Sequence, residues 1–510
     1  MESIRIKNLR SLKDTEEIEI KNINLLVGQN SSGKSTFLRT FPLLRQSMLR
    51  DTKGPILWYD DSLVDFGSYE DSINRFADET EGISLIFKLR LKDRPRFSFF
   101  GNRLSVKEDL LFNIELTILE KNRTNYISEL KIYFEDQNIL INSNHKGQVE
   151  EFKVNDSDMM FSEGTFNFQK FNSNAILPTF FISSKNNNER EREYYFLKAK
   201  DMMVKIISRN LKNQNRIDKI LNSSLIGSKK DLLTSLSDNN LRTWNKKIEL
   251  WDIDNPNFIE LNNLIISNSL PSLIFSIDDA LKTFFKDSKY IAPVRAKALR
   301  YYRYQDLSVS EIDAYGDNLH MFLENLSRTQ KEDYQKFIKK VFGFTAVTES
   351  KSGHITINIK DKKDQSFNLA DLGFGYSQVL PIITKLWYAS SKKNNSFWTD
   401  EGKKITILIE QPELHLHPAM QAQLADAFIL SVDLAKDNDV ILNLIIETHS
   451  STIINRIGRR IIDEKISQEN VNITIFDLDD DLKNSVVQTT QFSKNGVLKN
   501  WPLGFFEPKN

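Results

Sequence analysis

The sequence predicts an α/β fold in which residues 1–81 and 286–510 form one nucleotide-binding domain, with residues 82–285 inserted into it. Three observations carry that expectation. A glycine-rich loop stands between an apolar pentapeptide and a stretch with helical spacing. Apolar runs late in the chain, separated by helical patterns, read as strands buried on both faces. Between these two parts the period is first two and then helical, as expected for a β-rich segment over 82–185 followed by a helical one over 186–285.

The loop is Gly28-Gln29-Asn30-Ser31-Ser32-Gly33-Lys34-Ser35-Thr36. It fits G-x-x-x-x-G-K-(S or T) without a gap. INLLV at 23–27 reads as a short buried strand before it, and 36–50 has helical spacing after it. Gly28 and Gly33 let the backbone curl so that successive amides and a helix N-terminus point at one phosphate. Lys34 reaches the outer phosphates, and Ser35 supplies a hydroxyl for the accompanying magnesium ion. The residues therefore predict a nucleoside triphosphate site.

Length and composition bound the rest. At 510 residues the chain is long enough for roughly three domains. With 40% hydrophobic and 27% charged residues it reads as globular, with ample core. Lys plus Arg and Asp plus Glu both number 69, so net charge gives no argument for or against nucleic acid. The absence of cysteine excludes disulfides, thiolate metal sites and cysteine nucleophiles. MESIRIKNLRSLKD has no apolar signal-peptide core. No apolar run is seen to approach the roughly 18 residues of a membrane span. A cytoplasmic protein with no membrane partner is the expectation.

In chain order, Ile4, Ile6, Leu9, Ile18 and Ile20 alternate with polar residues, as in an antiparallel pair leading into the loop strand. Residues 51–80 mix turns with a short strand and a helix start. From 82 to 182 short strands are expected at ISLIFKLRL, RFSFF, FNIELTILE, ISELKIYFE, NILINS, EEFKV and TFFIS, with turns at 92–95 and 142–145. KNNNERERE at 185–193 reads as an exposed connection or helix entrance. Helical spacing follows over 193–288. KYIAPVRAKALRYYR at 289–303 reads as a strand and a loop dense in Arg and Tyr. Helices are expected at MFLENL and YQKFIKKVFGF, and strands at ITINIKD, KITILIE, NLIIE and NITIFDLD.

Two strand ends carry chemistry. ITILIE ends in Glu410, where a carboxylate can organise magnesium opposite the phosphate loop. LIIETHS ends its apolar run ahead of His449, about thirty residues after the first acid strand ends.

GQNSSGKST, LADLGFGYSQVLP, LIEQPELHLHP and IIETHS, in this order, resemble the Walker A, signature, Walker B with D-loop, and H-loop segments of ABC-type ATPases. More narrowly they are similar to the SMC, RecF and OLD-like branch called AAA15 or AAA21. IKNLRSLKD and NWPLGFFE are similar to bacterial stand-alone members, including ATPases of Septu-type and retron-linked antiphage defence. The motifs span about half the chain, and the insertion carries none.

The resemblance implies an ABC-type head, a P-loop NTPase with a mixed sheet and flanking helices. It implies ATP and Mg2+ as cofactors and a homodimer or higher homo-oligomer with nucleotide sandwiched between heads. By that resemblance Gly28 to Thr36 bind nucleotide, Ser35 and Glu410 hold the metal, and His449 senses the γ-phosphate. Gly373, Gly375, Ser377 and Gln378 would reach that nucleotide from the partner chain.

The residue after the Walker B acid is commonly a Glu that acts as general base; here it is Gln411. An amide can orient water without taking its proton. Glu413 is the substitute base within reach in sequence, and slow hydrolysis with a long-lived ATP-bound dimer is expected.

Other clusters weigh less. His415 and His417 belong to the loop after Walker B and lack further ligands for a metal site. Asp477, Asp479 and Asp480 resemble a TOPRIM acid cluster, but too little chain follows for a TOPRIM nuclease domain. Arg295, Lys297, Arg300 and Arg303, interleaved with Tyr301 and Tyr302, suit nucleic acid phosphates and bases or simply a solvated face.

Three functions fit these residues. One is a switch or sensor controlling a separate effector, such as an HNH-type nuclease or other toxin, in phage defence. Another is a RecF- or SMC-like ATPase that engages DNA in repair or maintenance. The last is a protein that binds ATP only for assembly.

Overall fold

A computed structural model describes residues 1–78, 80–91, 105–162, 164–170, 174–184, 193–207, 214–237, 241–391, 403–479, 481, 483–499 and 501. The turn expected at 92–95, the RFSFF strand, all of 185–193 but Glu193, Asp480, and all of NWPLGFFE but Trp501 lie outside these residues. The fold is α/β. It divides into two compact units: Met1–Leu9, Gln46–Trp58 and Gly67–Thr283 form one, and Arg10–Arg45, Tyr59–Phe66 and Phe284–Asn510 form the other. This partition is interleaved where the sequence suggested consecutive blocks. The first strand, Ser3–Leu9, falls in the insertion's unit, where it pairs antiparallel with Ile83–Leu91.

The phosphate-loop unit is built on a six-stranded sheet. In chain order its strands are β1 (Ile23–Gly28), β2 (Ser288–Ile291), β3 (Lys403–Glu410), β4 (Val440–Glu447), β5 (Val471–Leu478) and β6 (Ser485–Thr490). Across the sheet they run β2-β3-β4-β1-β5-β6, all parallel except the edge strand β6. Four helices matter for the site: α1 (Lys34–Leu49), α2 (Phe374–Ser390), α3 (Pro418–Asp437) and α4 (Ser451–Ile462).

The apolar runs of β1, β3, β4 and β5 are buried on both faces, as a parallel sheet between helices requires. One face carries Leu25, Ile407, Ile446 and Ile473 into a core shared with Leu380, Ile383, Leu424, Phe428, Ile453 and Ile457 of α2, α3 and α4. The alternate residues of the strands point the other way. There Phe37 of α1 meets Phe476 of β5, ring centroids 5.8 Å apart. The strand period of two therefore assigns the terminal acids of β3 and β4 to the α1 face.

In the other unit, antiparallel strands follow one another as Ser157–Asp158, Val149–Val154, Gln137–Ser143, Thr124–Phe134, Leu110–Lys121, Ile83–Leu91 and Ser3–Leu9. Most of the longer ones alternate buried and partly exposed residues, the signature of a sheet with one covered face. Helices Tyr194–Ile207, Gln214–Asn222, Lys229–Ser237 and Arg242–Ile248 precede a long one, Pro256–Lys286. That last helix is long and apolar enough, by length and composition, to cross a bilayer, which corrects the expectation that no such stretch exists. Glu260, Asn262, Asn263 and Ser267 break up its apolar residues, so no unbroken run shows in the sequence. Phe258, Leu261, Leu264, Leu270 and Ile274 are all buried, the pattern of a core helix.

Candidate nucleotide site

The site begins where β1 ends. Gly28 has φ 152°, and a Cβ there would sit 2.0 Å from the carbonyl oxygen of Phe476, so only glycine fits against β5. Gly33 has φ 96°, and a Cβ would fall 2.6 Å from Leu12 Cδ2 and Ser485 Oγ. The loop between them closes on itself, with Ser32 Oγ donating to the Gln29 carbonyl at 2.8 Å. Lys34 is buried and donates Nζ to the carbonyls of Gly28 and Gln29 at 3.1 and 2.5 Å. Burial pulls its pKa below the usual lysine value, against the attraction of Glu447 and Glu413.

Ser35 and Arg39 lie four residues apart, on one face of α1. Opposite them are Glu447 and Glu410, which pair in register at the ends of the neighbouring strands β4 and β3. The two pairs interlock. Ser35 Oγ donates to Glu447 Oε1 at 2.8 Å. Arg39 forks onto Glu410, with Nε to Oε1 and Nη2 to Oε2 both at 2.7 Å, and Tyr290 Oη adds a bond to Oε1 at 2.8 Å. Arg295 donates Nη2 to the backbone oxygen of Glu410 at 2.8 Å. Glu447 Oε2 is buried with no hydrogen-bond partner among the described residues. Burial first, then the charge of Glu410, pushes the Glu447 carboxyl up to about 7.

A cavity of about 330 Å³ opens over the loop, lined by Asn30 to Thr36 together with Arg10, Ser11, Gln411, Glu447 and His449. Its size and its donors suit a triphosphate. Ser35 and the unpartnered Glu447 oxygen are hard oxygen ligands of the kind that magnesium takes. Gln411 holds φ 41° and donates its N–H to the Glu447 carbonyl at 2.9 Å, which fixes it at the cavity wall. Glu413 accepts from Thr448 Oγ1 at 2.8 Å and from the His449 amide at 2.7 Å. Burial raises its pKa, opposed by those bonds. His449 is pulled down by burial and then by Lys34, which favours the neutral imidazole.

The structure thus gathers Gly28 to Thr36, Gln411 and His449 around one cavity, with Glu413 behind His449. Glu410 does not line that cavity and accepts bonds from Arg39 and Tyr290, and the structure adds Glu447, Arg39, Tyr290 and Arg295, to which the sequence reading gave no role in this site. Glu447 was legible as the last residue of an apolar strand, but the neighbouring His449 drew the reading.

At the start of α2, Gly373 is exposed with φ 77°, and a Cβ there would meet nothing within 4 Å. A Cβ added at Gly375 would make ordinary van der Waals contact with the His415 carbonyl, 3.5 Å away. Ser377 and Gln378 turn inward. Ser377 Oγ donates to the Phe374 carbonyl at 2.9 Å, and Gln378 exchanges bonds with the Arg295 backbone, both at 3.2 Å.

Arg295 itself is buried, which removes it from any nucleic acid face, and burial lowers its pKa to about 10. Tyr302 stacks on His320 with ring centroids 4.2 Å apart. Arg300 pairs with Asp371 at 2.6 Å, and Tyr301 is exposed. His417 caps α3, accepting from the Ala419 amide, and His415 packs beside Phe374.

Similar solved structures include the SMC head domain with an extended coiled coil bound to the C-terminal domain of ScpA, from Pyrococcus furiosus. That match has 11% identity and a TM-score of 0.35, and it covers 96% of each chain. The SMC head domain from Thermotoga maritima matches at 8% identity and a TM-score of 0.34, over 96% of this chain and 97% of that one. No curated protein matches. A family model described as the AAA ATPase domain matches residues 1–454, and the chain belongs to that family of ATPases.

Proposed function

We propose that this ATPase is a dimerising switch that holds ATP longer than it hydrolyses it and that controls a separate effector in bacterial antiphage defence. Gln411 carries the proposal. It stands on the wall of the phosphate-loop cavity, where the resemblance expects the general base, and its amide can orient water but cannot accept the proton. Glu413, the nearest alternative, has both oxygens engaged by Thr448 and His449. Lys34, the loop amides and His449 would bind and sense the phosphates, and bound Mg2+ would neutralise charge on the phosphate oxygens. The exposed start of α2 at Gly373 would reach the nucleotide of a second copy.

The effector is proposed as a nuclease or other toxin in the cytoplasm. The alternative of a RecF- or SMC-like ATPase acting directly on DNA keeps Lys297, Arg300 and Arg303 but loses Arg295 to the interior. ATPase stimulation by DNA in the purified protein favours the alternative; copurification with a nuclease favours the effector reading.

Single-turnover hydrolysis tests the switch. Gln411→Glu should raise the rate by roughly 10²-fold, the usual scale of a positioned general base. It should also shorten the lifetime of the ATP-bound dimer in sedimentation. An unchanged rate in Gln411→Glu, with brisk turnover in the wild type, would refute it.

A further inference from the structure

We propose that the insertion carries a small-molecule site of its own and that its ligand is a guanine nucleoside.

A cavity of about 370 Å³ lies wholly within the insertion's unit, a volume that suits a nucleoside. Two helices and a strand end form it. Glu260, Asn263 and Leu264 come from the long helix Pro256–Lys286, where spacings of three and four put them on one face. Tyr194 and Lys198 come from Tyr194–Ile207, and Met159 follows the strand Ser157–Asp158.

The inner wall has an unmet donor. Asn263 is only 2% exposed. Its Oδ1 accepts from Asn155 Nδ2 at 2.8 Å and from Asn262 Nδ2 at 3.1 Å, which fixes the orientation of the amide. Its own Nδ2 donates to none of the described residues. Buried amide N–H groups are normally partnered, so this wall calls for a ligand acceptor.

Glu260 has the opposite need. It is exposed at the rim, and its carboxylate forms no hydrogen bond or ion pair among the described residues. Lys198 lines the same cavity but lies over the Tyr194 ring, 5.7 Å from its centroid. Asp158, the other acid there, already accepts from the Met160 amide at 3.0 Å. The free carboxylate can take two donors at once.

The remaining walls favour a flat ring. Tyr194 is backed by Phe161, stacked with centroids 3.7 Å and planes 18° apart, and Met159 and Leu264 add apolar surface. Among flat rings, the polar pattern asks for one acceptor beside two donors along an edge. Guanine has it, with O6 next to N1–H and the 2-amino group. Adenine, cytosine and uracil do not set two donors side by side. Side chains three apart on a helix have Cβ atoms about 5–6 Å apart, a span that one base edge bridges. O6 would meet Asn263 Nδ2, and the two donors would meet Glu260. Binding makes and breaks no covalent bond. It engages the helix that Gln137 and Asn262 tie to the sheet, so the occupant is an effector of the insertion.

Equilibrium dialysis of the full chain against radiolabelled guanosine tests this, with a non-hydrolysable ATP analogue in excess. Guanosine has no phosphate for the phosphate loop to hold. It should bind once per chain, and adenosine or cytidine at least roughly tenfold more weakly, the scale of one unmet charged hydrogen bond. Glu260→Gln should weaken guanosine by a similar factor and turn the preference towards xanthosine. In xanthosine a C2 carbonyl replaces the 2-amino group and accepts from the new amide. Because the Glu260 carboxylate has no bond to lose, the variant should melt at the wild-type temperature. The assignment is overturned by no guanosine binding, by binding that the ATP analogue abolishes, or by equal binding of adenosine. Guanosine bound as tightly by Glu260→Gln as by the wild type overturns it too.

Discussion

The two units bury polarity in different ways. Around the phosphate loop several buried groups are charged, with Lys34, Arg295, Lys385, Glu410 and Glu447 inside among neutral ones such as Asn24 and Gln378, whereas Asp278 is the buried charge that the other unit shows among the described residues. In the unit that holds the insertion the main buried polar cluster is made of neutral amides. Gln137 and Asn262 bond each other at 2.8 and 3.0 Å, and Asn155 links Gln137 to Asn263 at 2.8 Å. Amides satisfied by amides fix strand and helix against each other at little electrostatic cost. Buried charges are expensive unless paired, and they cluster where a fold must bind or move charge. The contrast marks one unit as chemical and the other as architectural.

Lys34→Ala should break the chemical side most completely, abolishing nucleotide binding in calorimetry while leaving the circular dichroism spectrum unchanged. Arg39→Met should come next. It leaves Glu410 buried without its fork, and because the Arg39 side chain is itself 33% exposed the loss should be about 2 kcal/mol, below the roughly 3–5 of a fully buried pair. Urea denaturation measures it.

Lys385 sharpens the contrast through pH. Burial lowers its pKa to about 7, and its ammonium donates to the Tyr290 carbonyl at 2.5 Å. Between that value and the ordinary lysine range the unfolded chain binds a proton that the folded chain has released, so stability rises with pH across the window. Relative to Lys385→Met, the wild type should gain about 1.4 kcal/mol per pH unit from just above neutrality to about pH 10. Parallel pH profiles would remove the argument. On the architectural side, Asn262→Leu should cost about 1–2 kcal/mol by removing one partner from each end of the Gln137 amide, with nucleotide affinity unchanged. A large loss of affinity there would mean the division of labour is wrong.

Much of the phosphate-loop unit was legible because its signals are local. The loop spacing, the apolar runs of β3, β4 and β5, and the switch from period two to helical spacing all reside in short windows. What stayed hidden depends on partners far away in sequence. Strand order places Glu447 beside the loop, and no window of sequence contains that order. Arg295 reads like its basic neighbours until the Glu410 carbonyl, 115 residues on, draws it inside. Ser377 and Gln378 sit on the buried side of α2, a fact set by the sheet beneath them. The first strand joins Ile83–Leu91 rather than a local hairpin because its register partner is some eighty residues downstream.

The position of β1 between β4 and β5 also sets a timetable for the nascent chain. Residues 23–28 must wait for strands at 440–447 and 471–478 before either edge is covered. At roughly 5–20 residues per second, the apolar INLLV segment emerges tens of seconds before its neighbours are synthesised. During translation it is a pair of open strand edges in search of a match, which makes it a natural place for a chaperone to bind and the point most exposed to misassembly on a crowded polysome.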